Sequence, residues 1–358
     1  MLSTVPCTCA LVDSSFPQFW PHMRLRSTSH PIRSPPKKRP NRAGPTLHNG
    51  DLEADVALAL LGTTQLNARS LCRPSSAKPM SEMEDDFPAI AGLECFERLS
   101  SQQNLVFRGR VDGASVVVRL TSPQHRTASQ IDVELDLLTK LAQTTALAVT
   151  PRPFPSGRLV ETVWHAGQER LGTLFPYVAG EVFQPASFET AASLGVLLAQ
   201  LHAALAALHP RFDLPVMSHV SNATRLIHGD FHFGNVLKTA DGFLVLDFEN
   251  ACYSTHEFEV ANCLYMALFA HRDSVQELLK TDLAAGLVAG YARHATLSLS
   301  DVRESVSHRV SMLAGWLDGS DEAPLSVSNS SSEWKATLNA FVEAYGAGHF
   351  DAFLRQLK

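Results

Sequence analysis

Residues 226–250, LIHGDFHFGNVLKTADGFLVLDFEN, decide how the rest of the chain is read. His228-Gly229-Asp230 stands near its start, Asn235 lies five residues past Asp230, and Asp247-Phe248-Glu249 follows an apolar run. Transfer of a phosphoryl group from a nucleotide leaves a protein little covalent work, so it rests on positioning and charge. One carboxylate must orient the attacking hydroxyl, while an amide oxygen and a second carboxylate hold Mg²⁺ against the phosphates. Asp230, Asn235 and Asp247 offer those groups in that order. Leu244-Val245-Leu246 is expected to be a buried strand delivering Asp247 into a cleft. The rival reading makes HGD a turn and the later acids the solvated ends of a hairpin, and a match in several ordered parts argues against it.

Upstream, NLVFRGR and ASVVVRL flank Asp112-Gly113, a strong hairpin signal. Ile131, Leu135, Leu138 and Leu141 then recur at helical spacing in TASQIDVELDLLTKLAQ. RLVETVW and LGTLFPYV have the composition of two further strands. Strand, strand, helix, strand, strand predicts a small antiparallel lobe over residues 87–179. From residue 180 to 358 the chain turns helical. Leu194, Leu197, Leu198, Leu201, Leu205 and Leu208 share a face that Pro210 should stop. A second hairpin turn is expected at Asp241-Gly242, and helices over 257–270, 274–294, 300–318 and 333–345. SVSNSSS at 326–332 reads as a flexible loop. The fold class is therefore α+β in two lobes.

HGD-x4-N followed by a strand ending in Asp-Phe-Glu resembles the catalytic segment of the aminoglycoside phosphotransferase and choline kinase superfamily, small-molecule kinases with a protein-kinase-like fold. The resemblance spans roughly residues 88–350. VELDLLTKLAQTTALAVTPRPFPSGRLVETVW is most similar to the homoserine-kinase-like and stress-response-kinase-like branch. It implies an ATP- and Mg²⁺-dependent phosphotransferase with an alcohol group as acceptor. Asp230 would be catalytic, with Asn235 and Asp247 as metal ligands. Arg119 would steady the ATP phosphates and Glu134, fifteen residues on, would hold it. Arginine replaces the strand lysine of protein kinases here, and guanidinium still grips phosphate through two parallel bonds. No glycine-rich phosphate loop precedes the hairpin, and Ser100 to Asn104 stand in its place. Phe175-Pro176-Tyr177 resembles the hinge whose backbone meets adenine. His228 is expected to brace the loop rather than act as a base, and His232 falls where substrate contacts occur. Glu249 either touches a second Mg²⁺ or caps the turn. Glu259 stands where relatives usually place a bracing Asp, and Ser254 where they place Gly, two departures that bear on loop geometry.

The branch also holds enzymes acting on protein Ser or Thr, so a stress-response-type protein kinase is the first alternative, and fold alone does not choose the acceptor. A nucleotide-binding pseudokinase is the second, opposed by the intact Asp230, Asn235 and Asp247.

The net charge of −6 hides an asymmetry. Residues 1–50 carry seven Arg or Lys and one acid, whereas residues 180–358 carry 20 acids and 11 bases. The acidic half argues against nucleic acid and leans towards a cationic small-molecule partner, although solubility alone accounts for acidic helix faces. No run approaches the ~18 apolar residues of a membrane span. Six scattered cysteines without CxxC spacing suggest reduced thiols and a cytoplasmic setting. Residues 1–86 form a basic, Pro-rich extension that cannot offset the entropy cost of ordering. A transit peptide to an organelle, a regulatory tail, or translation beginning at Met80 or Met83 are the readings it allows. Oligomeric state is not legible.

Overall fold

In the computed structural model, residues 87–101, 104–209, 211–217, 220, 222–319 and 331–357 are described. The extension at 1–86, Pro210 and most of the serine-rich stretch lie outside them.

The first lobe is a five-stranded antiparallel sheet of order β1-β2-β3-β5-β4. Its strands are β1 (Glu94–Ser101), β2 (Asn104–Val111), β3 (Ala114–Thr121), β4 (Val160–His165) and β5 (Gln168–Pro176). Helix α1 (Ala128–Thr144) crosses between β3 and β4. Val111 pairs with Ala114, so Asp112 and Gly113 form the two-residue turn, both at positive φ as that turn demands. Thr127 caps α1 through a reciprocal box with Gln130. β3 is buried on both faces. Val116, Val118 and Leu120 enter a small core with Phe107, Phe154 and Leu174, while Val117 joins the main core with Ile131 and Leu135 of α1. Two-residue alternation therefore turns Arg119 towards α1.

β1 is one strand more than the sequence suggested, and it takes in Ser100 and Ser101. Its ladder slips between Cys95 and Glu97 and again between Arg98 and Ser100, so no clean alternation marks it.

The second lobe is mainly helical. α2 (Phe188–Ala206) lies against α5 (Leu283–Tyr291). A Cβ on Gly195 would fall 2.0 Å from the Leu287 carbonyl oxygen, and one on Gly290 1.9 Å from that of Ala192. These backbones therefore touch, and glycine is required at both positions. Among the described helices α2 alone is long and apolar enough to cross a bilayer, but most of that apolar surface is buried in the core. α3 (His256–Ala270) is buried nearly all round, and α6 (Leu299–Leu317) packs on it with α7 (Ser332–Gly346) outside. The single helix expected over 274–294 is two, α4 (Val275–Leu279) and α5, with Asp282 left-handed at φ 49° between them. Thr281 donates to the Leu278 carbonyl and accepts from the Leu283 N–H, offering the backbone an alternative to helix. A short α8 (Asp351–Leu354) follows α7.

Between the lobes run β6 (Glu181–Val182), β8 (Val236–Thr239) and β9 (Gly242–Val245) in the order β6-β8-β9, and β7 (Arg225–Ile227) pairs with β10 (Cys252–Ser254). Thr239 pairs with Gly242, so the second hairpin turns at Ala240-Asp241, one residue earlier than expected.

Candidate active site

β7 ends at Ile227 and delivers His228-Gly229-Asp230 to the cleft side of the second lobe. Gly229 sits at φ +83°, and a Cβ there would meet the Asn250 carbonyl oxygen at 1.9 Å, so only glycine fits. His228 donates from Nε2 to the Leu246 carbonyl (2.7 Å) and accepts at Nδ1 from the Asp230 N–H (3.2 Å). A carbonyl can only accept, so this pair of bonds fixes the neutral tautomer, and burial holds the imidazole below its ordinary pKa. His228 is thereby a brace. Glu259, on α3, accepts from the His228 N–H (2.9 Å) and the Gly229 N–H (2.5 Å). Its second support is His202 of α2, whose Nε2 lies 2.9 Å away and whose Nδ1 meets the Tyr291 hydroxyl at 2.7 Å. The glutamate thus reaches both loop amides despite its extra methylene.

Asp230 is buried, and its Oδ1 accepts from Asn262 Nδ2 at 3.3 Å. His232 Nε2 is 3.8 Å from Asp230 Oδ2, while His232 Nδ1 accepts from the Gly234 N–H. Burial pushes the His232 pKa down to about 3, so the ring is neutral at physiological pH.

Asn235 donates from Nδ2 to the Asp230 carbonyl (3.0 Å), which leaves its Oδ1 to serve a cation. The Asn235 carbonyl accepts from the Leu246 N–H (2.9 Å), tying the loop to the strand end that presents Asp247. Asp247 is a non-glycine residue in the left-handed region (φ 64°, ψ 68°), a conformation that clusters at functional sites. The residue is 6% exposed, its two carboxylate oxygens are buried, and neither has a hydrogen-bond partner. Burial, with Glu249 and Asp230 adding to it, raises its pKa well above the ordinary 3.8. An unpaired buried carboxylate is costly unless a cation joins it. Among the described residues no three His, Cys, Asp or Glu cluster as a self-sufficient metal site. An Asp and an Asn oxygen, completed by phosphates and water, are the sparse hard-oxygen set that Mg²⁺ takes. The residues fit that ion.

Across the cleft, Arg119 donates to both oxygens of Glu134 at 2.9 Å, a buried bidentate pair. Burial opposes ionisation of Glu134, but Arg119 and Arg126 outweigh it and hold the pKa below the usual value. Arg126, which the motif did not indicate, also contacts Glu134 Oε2 and donates to the Gln130 carbonyl. Glu249 faces the first lobe: it accepts from Asn104 Nδ2 (3.0 Å), with Arg119 Nη1 at 3.9 Å and His125 Nε2 at 3.7 Å. Despite burial, His125 and Arg119 hold its pKa far below 4.5.

Arg119, Glu134, Phe175, Asp247 and Phe248 line one cavity of about 20 Å³ at the base of the cleft. The Arg119 guanidinium lies 5.5 Å from the Phe175 ring centroid. Tyr177 is not on the cavity. Its N–H donates to the Ser115 carbonyl (3.1 Å) and its ring stacks under Arg108 at 4.0 Å. Asp230, Asn235, Asp247, Arg119, Glu134 and Phe175 are thus gathered around the cleft, with His228 and Glu259 beneath and Glu249 bridging to the sheet. The sequence reading missed Arg126, His125, His202 and Asn262, each tied to a site residue, and it named Asn104 only as the end of the stretch standing in for the phosphate loop. Three of these tell on inspection: His202 stands four residues after Leu198 on an apolar stripe, Asn262 sits inside VANCLYMALFA, and Arg126 immediately precedes a helix cap.

A profile of the phosphotransferase enzyme family matches residues 96–219 and 213–297, together more than half of the chain. The chain is similar in fold to amicoumacin kinase hAmiN in complex with AMP-PNP, Ca²⁺ and Ami, at 16% identity and TM-score 0.56, covering 71% of this chain and 90% of that one. It is also similar to a microcompartment-associated aminopropanol kinase, at 16% identity and TM-score 0.53, covering 77% and 98%. No curated protein matches it in sequence.

Proposed function

Because the chain belongs to the phosphotransferase enzyme family, we propose that it moves the γ-phosphoryl group of ATP to a hydroxyl of a small metabolite: an amino alcohol, an amino acid or an aminoglycoside-like compound. The observation that carries this reading is Asp247, a buried carboxylate without a hydrogen-bonding partner, placed beside Asn235 and facing the Arg119–Glu134 pair. Asn235 Oδ1 and the Asp247 carboxylate would hold Mg²⁺, which when bound supplies charge neutralisation on the phosphates. Arg119, fixed in direction by Glu134, steadies those phosphates from the sheet side. Asp230 orients the acceptor hydroxyl and takes its proton late, because a loose transition state asks for positioning before basicity. His228 and Glu259 hold the loop that aims Asp230. A fold neighbour that binds an ATP analogue and a divalent cation supports the choice of donor.

The test is ADP release from Mg-ATP across homoserine, choline, hydroxylysine, ethanolamine and aminoglycosides, with casein as a protein acceptor. At least one small hydroxyl compound should accelerate release above the water background. Asp230→Asn should lose ~10²–10⁴-fold in turnover, the usual contribution of a positioned base, while still binding Mg-ATP. Full turnover in that variant removes Asp230 from the mechanism, and acceleration by casein alone moves the protein to the protein-kinase class.

A further inference from the structure

Asp230 does not meet the cleft on its own. Its Oδ1 accepts from Asn262 Nδ2 at 3.3 Å, and Asn262 Oδ1 accepts from Arg309 Nε at 2.9 Å. Asn262 belongs to α3 and Arg309 to α6, and both are 0% exposed. Guanidinium has donors only, so the Asn262 atom facing Arg309 must be its oxygen. That settles the amide orientation and obliges its NH₂ to face the Asp230 carboxylate. The same nitrogen lies 3.5 Å from the Phe231 carbonyl, next along the loop. Arg309 is itself held, with its guanidinium carbon 4.8 Å from the Tyr265 ring and 5.4 Å from that of Trp316.

We infer that Asn262 and Arg309 are positioning residues for phosphoryl transfer, a relay from α6 through α3 that pins Asp230 Oδ1 and so sets the direction of the carboxylate that meets the acceptor hydroxyl. The inference rests on Asp230 being the group that orients the acceptor. The physical case is one of cost. Two apolar side chains would fill the α3–α6 interface without desolvating an amide and a guanidinium, and buried polar groups are expensive unless each serves a partner. Here the last partner in line is the carboxylate whose direction matters most. The hydrogen bonds that Asn262 donates run to Asp230 and to the Phe231 carbonyl, so the relay acts on the acceptor side of the cleft.

The experiment compares kcat and KM for ATP by ADP release, using the fastest small-hydroxyl acceptor of the panel, or water if none accelerates release. Asn262→Ala should lower kcat by ~10–100-fold, the scale of a small misplacement of a reacting group, with KM for ATP nearly unchanged. Arg309→Lys, which keeps the charge and moves the donor, should fall between wild type and Asn262→Ala. The double variant Asn262→Leu/Arg309→Met replaces the polar pair by apolar volume, and should stay folded with kcat as low as in Asn262→Ala. In an Asp230→Asn background Asn262→Ala should cost nothing further. Wild-type kcat in the folded double variant overturns the relay, as does a loss that repeats in full on top of Asp230→Asn. Wild-type turnover in Asp230→Asn alone breaks the assignment of Asp230 instead, so the two failures are told apart.

Discussion

Glu134 and Asp247 line the same small cavity, one on the wall built by the sheet lobe and one on the wall built by the helical lobe. Glu134 is saturated: Arg119 donates to both its oxygens, and Arg126 adds a second guanidinium. Asp247 has no hydrogen-bond donor at all. Burial is nearly equal, at 1% and 6% exposed, so the contrast lies in partners and not in solvent. It shows in opposite shifts, the Glu134 pKa held down and the Asp247 pKa pushed up. A saturated carboxylate is a fixture that aims the cations around it. An unsaturated one carries uncompensated negative charge when ionised, and burial without a partner makes that charge costly.

The largest effect should come from unpairing the saturated wall. Glu134→Gln takes from two buried guanidiniums the carboxylate they are bonded to and leaves them only the more distant Glu249, and breaking a buried pair costs up to about 3–5 kcal/mol. The urea midpoint should fall accordingly at pH 7. Because the folded pKa lies below the unfolded value of 4.5, the stabilisation is fully present above that pH and is lost as pH falls through the folded pKa. The gap between wild type and variant should therefore close in acid. A midpoint unmoved at neutral pH would mean that Arg119 and Arg126 find other partners, and the contrast between the walls would disappear.

The opposite wall should behave in reverse. Asp247→Asn removes a buried charge with no hydrogen-bond partner, so the metal-free protein should gain stability. A gain of ~1 kcal/mol raises Tm by about 1–2 °C in a chain of this size. Here the folded pKa is raised above 3.8, so the native state holds the proton more tightly than the unfolded chain. Stability of the wild type then declines as pH rises from about that value to the folded pKa, and the advantage of Asp247→Asn widens over the same range. MgCl₂ should raise Tm in the wild type and do so less in the variant, since ligand that binds only the native state stabilises it. Equal responses to Mg²⁺ would separate Asp247 from the metal.

How much of this was legible in the sequence divides along the same line. The Asp112-Gly113 turn, the α1 stripe and the spacing from Asp230 to Asn235 to Asp247 are local signals, and each stands where its spacing implied. Arg119 and Glu134 are also close enough in sequence for a strand followed by a helix to bring them together. β1 was not legible because its two register slips destroy the alternation that marks a strand. The break at Asp282 depends on bonds made by a single threonine. His202 to Glu259 and Arg309 to Asn262 span 57 and 47 residues, and no spacing rule joins side chains on different helices. What the sequence does carry is the anomaly of a polar residue on an apolar face. Arg309, three residues after Val306 and four before Leu313, is such an anomaly on α6, as His202 is on α2.

Glu249 offers the finest probe of the contrast, because it stands two residues from Asp247 and shares the cations of Glu134. It accepts from Asn104 at 3.0 Å, lies 3.9 Å from Arg119, and adds to the upward push on Asp247. Glu249→Gln keeps an acceptor for Asn104 and deletes only the charge. Loss of one charge-assisted contact is worth about 1.5–3 kcal/mol at most, and the retained amide bond should bring the net change below that. The more telling consequence concerns its neighbour. With one negative charge gone, Asp247 should ionise at lower pH, and the pH below which MgCl₂ ceases to raise Tm should move down. An unchanged limit would show that the two carboxylates do not feel one another. Asp247 would then owe its raised pKa to burial and to the carboxylates of Glu134 and Asp230.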